Sequence, residues 1–367
     1  MEKTESASLS LRWPEIYSLA ALSAAVAISW IAYHEYQPHL LVMFGLQELS
    51  LFLILSKGII LVIIPPIAGW LADLILRRTG KFFMVFSVGI GITAMVFMGV
   101  ATIISAGTIS KITFLLPYMI VLWLIAMNIF TSPALSMIES FAPTKKLPLV
   151  VGFLFFITQL IYALEPLVVQ LVQFFGDTLT FVVGGVLIAS TGYVFQRVSS
   201  DEVITRRKTM LDQPSNQIPM TDLLKIVAVG IVLGIGNGFL VEYVPFKVES
   251  AFSEVTGFGG YISFGFLGFA ALLAYVTGGY VSRVGFKKVL IQSIIGILIS
   301  ASLLMLSNSF VLFIIAGLLL AFSFGLVNVS GLPYAISKLS VRHITFGIGA
   351  FIGASYVFEG ILEYMYK

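Results

Sequence analysis

Five ionisable side chains interrupt apolar stretches of this 367-residue chain: Glu35, Lys57, Glu165, Glu242 and Glu359. A carboxyl group held away from water has a raised pKa, so it can take up and release a proton near neutral pH. Charged groups in an apolar medium are costly and usually face a cavity or a partner. We therefore expect proton binding or ion pairing at Glu35, Lys57, Glu165 and Glu359.

One ion pair is suggested by position. Glu35 and Lys57 each lie 11 residues from Leu46, where the first two apolar stretches meet. Two antiparallel helices would place both side chains at similar depth, ~16 Å from the turn at ~1.5 Å per residue. The alternative for Lys57 is to extend towards the membrane surface or to bind an anionic substrate.

Glu165 shares a predicted helical face with Thr158 and Tyr162, which is typical of a cavity wall. The alternative for Glu165 and Glu242 is contact with the outer headgroups of a bilayer. For Glu359 the alternative is a structural hydrogen bond to a neighbouring helix.

Aromatic and amide side chains in the same apolar stretches could hold a small polar molecule. A sugar-like solute would stack on aromatic rings and form hydrogen bonds with amides. The candidate substrate-binding residues are Trp30, Tyr33, Asn128, Gln159, Asn237 and Asn328.

The composition indicates an integral membrane protein, because 59% of residues are hydrophobic, 11% are charged, and the mean hydropathy is +1.03.

The chain has no cysteine, which excludes disulfides and thiolate chemistry. The three histidines, His34, His39 and His343, are too scattered for a metal site, and we expect no cofactor. No catalytic cluster is evident, so an enzyme is not predicted. The polar N-terminus does not resemble a cleaved signal peptide.

About 20 apolar residues cross a bilayer as a helix, so the hydropathy pattern predicts an all-α protein with eleven spans. They are residues 15–42, 47–76, 81–105, 112–140, 147–173, 178–197, 222–246, 257–282, 286–307, 309–337 and 344–366. The longest polar break divides the chain into a six-helix bundle at 1–196, a cytoplasmic linker at 197–222 and a five-helix bundle at 223–367.

Basic residues follow the loops of one side, which indicates a cytoplasmic N-terminus and an outside C-terminus in the cell membrane. That side collects Lys3, Arg12, Arg77, Arg78, Lys81, Lys145, Lys146, Arg197, Arg206, Arg207, Lys208, Lys225, Arg283, Lys287, Lys288, Lys338 and Arg342. The opposite side has Lys111, Lys247 and Lys367. The asymmetry accounts for the net charge of +3 without a nucleic-acid partner.

Two sequence echoes indicate an internal duplication. "AGWLADLILRRTGK" after span two is echoed by "TGGYVSRVGFKK" after span eight, which makes Gly69 and Gly278 equivalent. "NIFTSP" in span four and "NVSGLP" in span ten share Asn-x4-Pro, beginning at Asn128 and Asn328. A parallel duplication of a helical bundle is typical of transporters.

The first of these motifs resembles the loop motif between spans two and three of the major facilitator superfamily. In that family the aspartate contacts the basic residues of the loop and the start of a neighbouring helix, and so latches the two halves on the cytoplasmic side. The resemblance implies a latch at Gly69, Asp73, Arg77, Arg78, Gly80 and Lys81. The second copy has Ser282 where an aspartate would stand, which predicts a weaker latch there.

Within that superfamily the chain resembles the sucrose-type and glycoside–pentoside–hexuronide cation symporter branch. The resemblance rests on "ISWIAYHEYQPHLLVMFGL", "MNIFTSPALSMIESFAP" and "LVNVSGLPYAISKLSVRHITFGIGAFIG". Two features depart from that branch: Ala134 and Leu135 stand where an arginine often follows the span-four proline, and the twelfth span is absent.

The leading functional prediction is a secondary active transporter that moves a small solute, such as a sugar or related metabolite, by alternating access. We expect it to be monomeric in the lipid bilayer and coupled to protons. The alternatives are a multidrug or metabolite exporter of the same fold, favoured by a wide apolar cavity, and a non-transporting receptor or assembly factor, favoured by a plugged one. A membrane enzyme would require a catalytic cluster.

Overall fold

The computed structural model describes residues 10–107, 113–199, 218–252 and 257–366, apart from the side chains of Thr113, Glu359 and Tyr366. Within these residues, eleven helical segments are long and apolar enough to cross a membrane. They are α1 (Trp13–Met43), α2 (Gln47–Thr79), α3 (Phe83–Ala106), α4 (Leu116–Phe141), α5 (Thr144–Ala163), α6 (Glu165–Val198), α7 (Met220–Ala251), α8 (Gly259–Val284), α9 (Phe286–Leu306), α10 (Phe310–Lys338) and α11 (Val341–Met365). The predicted all-α class and number of spans are confirmed. Most of the predicted linker lies outside the described residues, and the domain boundaries stay predictions.

The chain reverses direction inside α6. Gly176 has φ 72° and ψ 173°, a conformation that favours glycine and ends a helix. The Thr180 hydroxyl donates a hydrogen bond to the Val172 carbonyl at 3.0 Å, although residues eight apart in a straight helix are separated by ~12 Å. The limb 165–175 therefore completes the fifth crossing begun by α5, and the limb 177–198 makes the sixth. This division matches the predicted spans 147–173 and 178–197.

Prolines explain where α4 and the fifth crossing are interrupted. Pro133 has no amide hydrogen to donate to Ile129, and the first helical piece of α4 ends at Ile129. The fifth crossing breaks at Leu164, and a new helix begins with Pro166 in its first turn. Both interruptions change the direction of side chains in the middle of the molecule.

A third interruption lies in α7, where residues Phe239–Tyr243 form a π-helical turn. Pro245 lies two residues after this turn and has no amide hydrogen to donate to the carbonyl of Val241, which is within the turn. A π-turn holds one residue more than an α-turn and often occurs at functional sites. The segment places Glu242 on a wall of a cavity between the two predicted halves, which we call the central cavity.

Two helix pairs form the main contacts between the predicted halves, α2 with α11 and α5 with α8. We call them the α2–α11 seam and the α5–α8 seam. At the first, a Cβ on Gly69 would collide with the Thr345 carbonyl, and one on Gly349 with the Pro65 carbonyl. Gly349 and Gly353 of "GIGAFIG" both lie at this seam, where small residues let two backbones approach.

The α5–α8 seam is packed in the same way. A Cβ on Gly152 would lie 2.7 Å from the Ala274 carbonyl oxygen, and one on Gly278 would lie 3.0 Å from the Pro148 carbonyl oxygen. Gly69 and Gly278, equivalent in the sequence echo, thus occupy equivalent places on the two seams. The paired contacts agree with the predicted duplication, in which α2 corresponds to α8 and α5 to α11.

Candidate functional site

A cavity of about 560 Å³ lies between the two halves. Side chains of α1, α2, α4 and the fifth crossing form one wall, and side chains of α7, α8, α10 and α11 form the other. Its volume is typical of a small-molecule site, which spans ~300–1,000 Å³. Four of the predicted substrate-binding residues line it: Trp30, Gln159, Asn237 and Asn328.

Tyr33 and Asn128 lie elsewhere. The Tyr33 ring stacks on Trp123 of α4, with centroids 4.7 Å apart, and lines a separate cavity of about 30 Å³. Asn128 is buried, and its side-chain amide donates to the Leu124 carbonyl at 2.7 Å within the same helix. Neither residue lines the central cavity, because each is turned towards the interior of its own bundle.

Asn328 makes the matching bond to the Phe324 carbonyl at 3.0 Å. Unlike Asn128, it borders the central cavity. The intrahelical bond uses one hydrogen of its amide, so the amide oxygen can still accept a hydrogen bond from a solute.

The fifth crossing presents its predicted polar face to the cavity. Thr158, Tyr162 and Glu165 all line it, as their helical spacing predicts. Glu242 lines it from α7. Both acids lie where a helix is interrupted, one beside Pro166 and one within the π-turn.

Lys57 also reaches the cavity, but its charge partner differs from the predicted one. Its ammonium group donates to both carboxylate oxygens of Glu363 of α11, at 3.0 and 2.8 Å, and contacts Nε2 of His34 at 3.2 Å. Glu35 instead accepts a hydrogen bond from Gln173 at 2.8 Å. The predicted Glu35–Lys57 pair is therefore wrong.

The error is one of direction and not of depth. His34 and Glu35 are consecutive, and consecutive side chains on an α-helix point ~100° apart. His34 faces Lys57, whereas Glu35 faces the limb 165–175. The predicted depth therefore identified the correct turn of α1 as the neighbour of Lys57, but the wrong face of that turn.

Glu363 was not among the predicted residues, and His34 was set aside because the histidines are scattered. Glu363 lies 306 residues from Lys57, so no local spacing relates the two. A weak signal exists, because Glu359 and Glu363 are four apart and share a helical face in an apolar segment. The side chain of Glu359 lies outside the described residues.

The predicted latch lies at the opposite end of the α2–α11 seam. The buried carboxylate of Asp73 accepts a hydrogen bond from the backbone amide of Phe346 at 2.9 Å. Phe346 is in the first turn of the helix Ile344–Tyr366, where free amides and the helix dipole favour a negative charge. Asp73 and Gly69 thus hold the same end of α11, as the resemblance implies.

The basic residues of the motif contribute less directly. Arg77 donates from Nε to the backbone carbonyl of Asp73 at 3.2 Å. Arg78 and Lys81 are exposed and form no ion pair with a described residue. Gly80 ends the helix with φ 68°, which directs the chain into α3.

Among the described residues, the second copy of the motif makes no such contact across its seam. Ser282 donates to the Gly278 carbonyl of its own helix at 2.8 Å. This agrees with the expected weaker latch, because the α5–α8 seam then depends on close backbone packing.

Replacing Asp73 with asparagine should loosen the latch without unfolding the protein. The amide keeps an oxygen acceptor for Phe346 but loses the charge, and a charge at a helix N-terminus contributes ~0.3–2 kcal/mol. We expect normal abundance in the membrane and an altered rate of solute transport. Ser282→Ala is the matched control on the other seam, and equal rates for Asp73→Asn and the unmodified protein would remove Asp73 from the mechanism.

No family model matches the sequence, and a search of curated proteins finds no match to it. Two solved structures are similar in fold. The human organic anion transporter MFSD10 (TETRAN) has a TM-score of 0.63 and 14% identity, over 96% of this chain and 92% of that chain. The proton:xylose symporter XylE, bound to 6-bromo-6-deoxy-D-glucose, has a TM-score of 0.64 and 14% identity, over 96% of this chain and 87% of that chain. These similarities confirm the major facilitator superfamily fold and do not test the sucrose-type branch.

Proposed function

We propose that this chain, which has the fold of major facilitator superfamily transporters, is a secondary active transporter of a small solute. The observation that carries the proposal is the 560 Å³ cavity between two halves. Both halves contribute polar side chains to it, so their relative movement would expose the same residues to either side of a membrane. The open volume also argues against a receptor whose cavity is plugged by side chains.

The closed end of the cavity supports alternating access. At the Asp73 end the two seams bring backbones together at Gly69 and Thr345, and at Gly278 and Pro148. Under the predicted topology this end faces the cytoplasm. The described conformation is then closed to the cytoplasm, and the complementary state requires both seams to separate there.

A sugar or related metabolite suits the wall chemistry. Gln159, Asn237 and Asn328 supply amides, and Trp30 supplies an aromatic face. Polar groups of this kind bind hydroxyls, while an aromatic ring covers the apolar face of a sugar. The resemblance to the sucrose-type branch supports the same substrate class. The similar fold of a proton:xylose symporter supports proton coupling as part of the proposal.

Transport can be tested with purified protein in liposomes and a panel of labelled solutes. We expect uptake of at least one neutral polyhydroxylated solute, and we expect an inwardly directed proton gradient to increase it. Uptake of apolar cations alone would favour the exporter alternative. Failure to move any solute with or without the gradient would contradict the proposal.

Gln159→Leu tests whether the cavity amides bind the solute. This change removes two hydrogen-bonding groups with little change in volume, and one net hydrogen bond contributes ~0.5–1.5 kcal/mol. The KM for the transported solute should rise about two- to twelvefold per bond lost, since ~1.4 kcal/mol corresponds to tenfold. The exposed Gln47 provides the matched control, and Gln47→Leu should leave KM unchanged.

A further inference from the structure

We propose that His34 is the proton-binding residue of this transporter and that its protonation releases Lys57 and Glu363 from each other at the α2–α11 seam. The proposal rests on the proposed proton-coupled transport and identifies where the proton binds. We call Lys57, Glu363 and His34 the triad. It joins α1 and α2 of one half to α11 of the other.

The contacts of Lys57 define the protonation state of the triad. An ammonium group has three hydrogens to donate and no acceptor. Its partners are Oε1 and Oε2 of Glu363, at 3.0 and 2.8 Å, and Nε2 of His34, at 3.2 Å. With Lys57 charged, the ammonium group can only donate, so this contact requires Nε2 to accept and assigns the hydrogen of a neutral His34 to Nδ1.

A proton has a direct route to this histidine. His34 is exposed and borders the central cavity, whereas Lys57 and Glu363 are 6% and 7% exposed. The histidine is therefore the most solvent-accessible member of the triad. Imidazole is the side chain whose ordinary pKa lies closest to neutral pH, which suits repeated loading and release of a proton.

Protonation of Nε2 removes the third acceptor of Lys57. The added proton occupies the lone pair that Lys57 uses, so the contact between the two nitrogens becomes repulsive. Two adjacent cations then repel each other, which displaces the Lys57 ammonium group from Glu363. Because Glu363 is on α11 and Lys57 is on α2, a weaker ion pair between them weakens the contact between the halves.

The surroundings of His34 can stabilise its protonated form. The ring centroids of Trp30 and Tyr33 lie 5.9 and 5.5 Å from that of His34, close enough for cation–π attraction at ~6 Å. From α1, Glu35 is turned towards Gln173. On α11, Glu359 is one turn from Glu363, and its side chain lies outside the described residues.

Two spin labels can measure the seam directly, without a solute and without transport. The chain has no cysteine, so Leu51→Cys on α2 and Tyr364→Cys on α11 give a single labelled pair. Both positions are exposed, at 53% and 61%. In liposomes we expect one short distance at about pH 8 and a growing long-distance population at about pH 5.5, on either side of the ordinary imidazole pKa of ~6.5.

Two variants should then behave in opposite ways. His34→Gln retains an oxygen acceptor for Lys57 but cannot take up a proton, so its distance should stay short at both pH values. Glu363→Gln removes the shared charge, so its distance should be long at both. Glu48→Gln makes the same chemical change at an exposed position in the first turn of α2 and should respond to pH as the unmodified protein does.

The proposal is overturned if the labelled protein shows no change with pH, if His34→Gln retains the pH response, or if Glu363→Gln stays short. These outcomes are separate from those of the uptake assay. A pH response that His34→Gln abolishes supports the proton site, whether or not a solute is moved. If that response is seen and the uptake assay shows no transport, only the transport proposal is contradicted.

Discussion

Replacing Lys57 with glutamate should lower the free energy of unfolding by about 3–5 kcal/mol, the usual cost of leaving one member of a buried ion pair without its partner. Glu363 is 7% exposed and accepts two hydrogen bonds from Lys57, so a second carboxylate there would be both buried and repelled. Glu363→Lys should cost a similar amount, because it opposes two ammonium groups. Unfolding in detergent, followed by tryptophan fluorescence, measures both effects.

The double exchange tests whether Lys57 and Glu363 form the stabilising ion pair. Lys57→Glu combined with Glu363→Lys restores one charge of each sign, so we expect it to recover more than half of the lost stability. Lys57→Glu combined with Glu35→Lys is the matched control and should recover none, because Glu35 contacts Gln173. Equal recovery in the two double variants would contradict the observed pairing.

Gly69→Ala should open the Asp73 end of the α2–α11 seam. The added methyl group would collide with the carbonyl group of Thr345 and the Cα of Phe346, which are backbone atoms and cannot rotate away. Overpacking of this kind costs ~1–3 kcal/mol, so the closed state should lose population. A cysteine replacing the partly buried cavity residue Leu135 should then react faster with a charged maleimide applied from the predicted cytoplasmic side.

The same helix offers a control for the added methyl group. Gly58 is also in α2, and a Cβ there would meet no atom within 4 Å. Gly58→Ala should leave the reactivity of the Leu135 cysteine unchanged and should not destabilise the helix, because alanine favours helix by ~1 kcal/mol over glycine. If Gly69→Ala and Gly58→Ala give equal reactivity, close packing at Gly69 does not hold the seam.

The length and apolar character of the spans were predictable because a bilayer fixes both. Even the reversal at Gly176 was correctly placed between spans five and six, since a continuous helix there would be too long to cross once. The close backbone contacts at Gly69 and Gly349 are also of a kind that the sequence indicates, because glycine within a membrane helix usually marks close packing.

Partners across the seams were not predictable from one sequence. The prediction paired Lys57 with α1 because consecutive helices are adjacent, whereas the fold also places α11 against α2. Hydropathy fixes depth along a helix but leaves its rotation open, and a rotation of one residue separates Glu35 from His34. Tyr33 and Asn128 lie away from the central cavity for a related reason: almost every face of these helices is apolar, so the pattern does not distinguish the cavity side.

Because of the π-turn at Phe239–Tyr243, the number of residues in this segment determines which side chains line the cavity. Its extra residue offsets all later α7 side chains by about 100° relative to a regular helix. A homologous chain lacking one residue there could keep every hydrogen-bonded turn and every seam, yet it would present a neighbour of Glu242 to the cavity. A single-residue gap in this segment of an alignment therefore signals altered ligand preference, even where the aligned letters around it are identical.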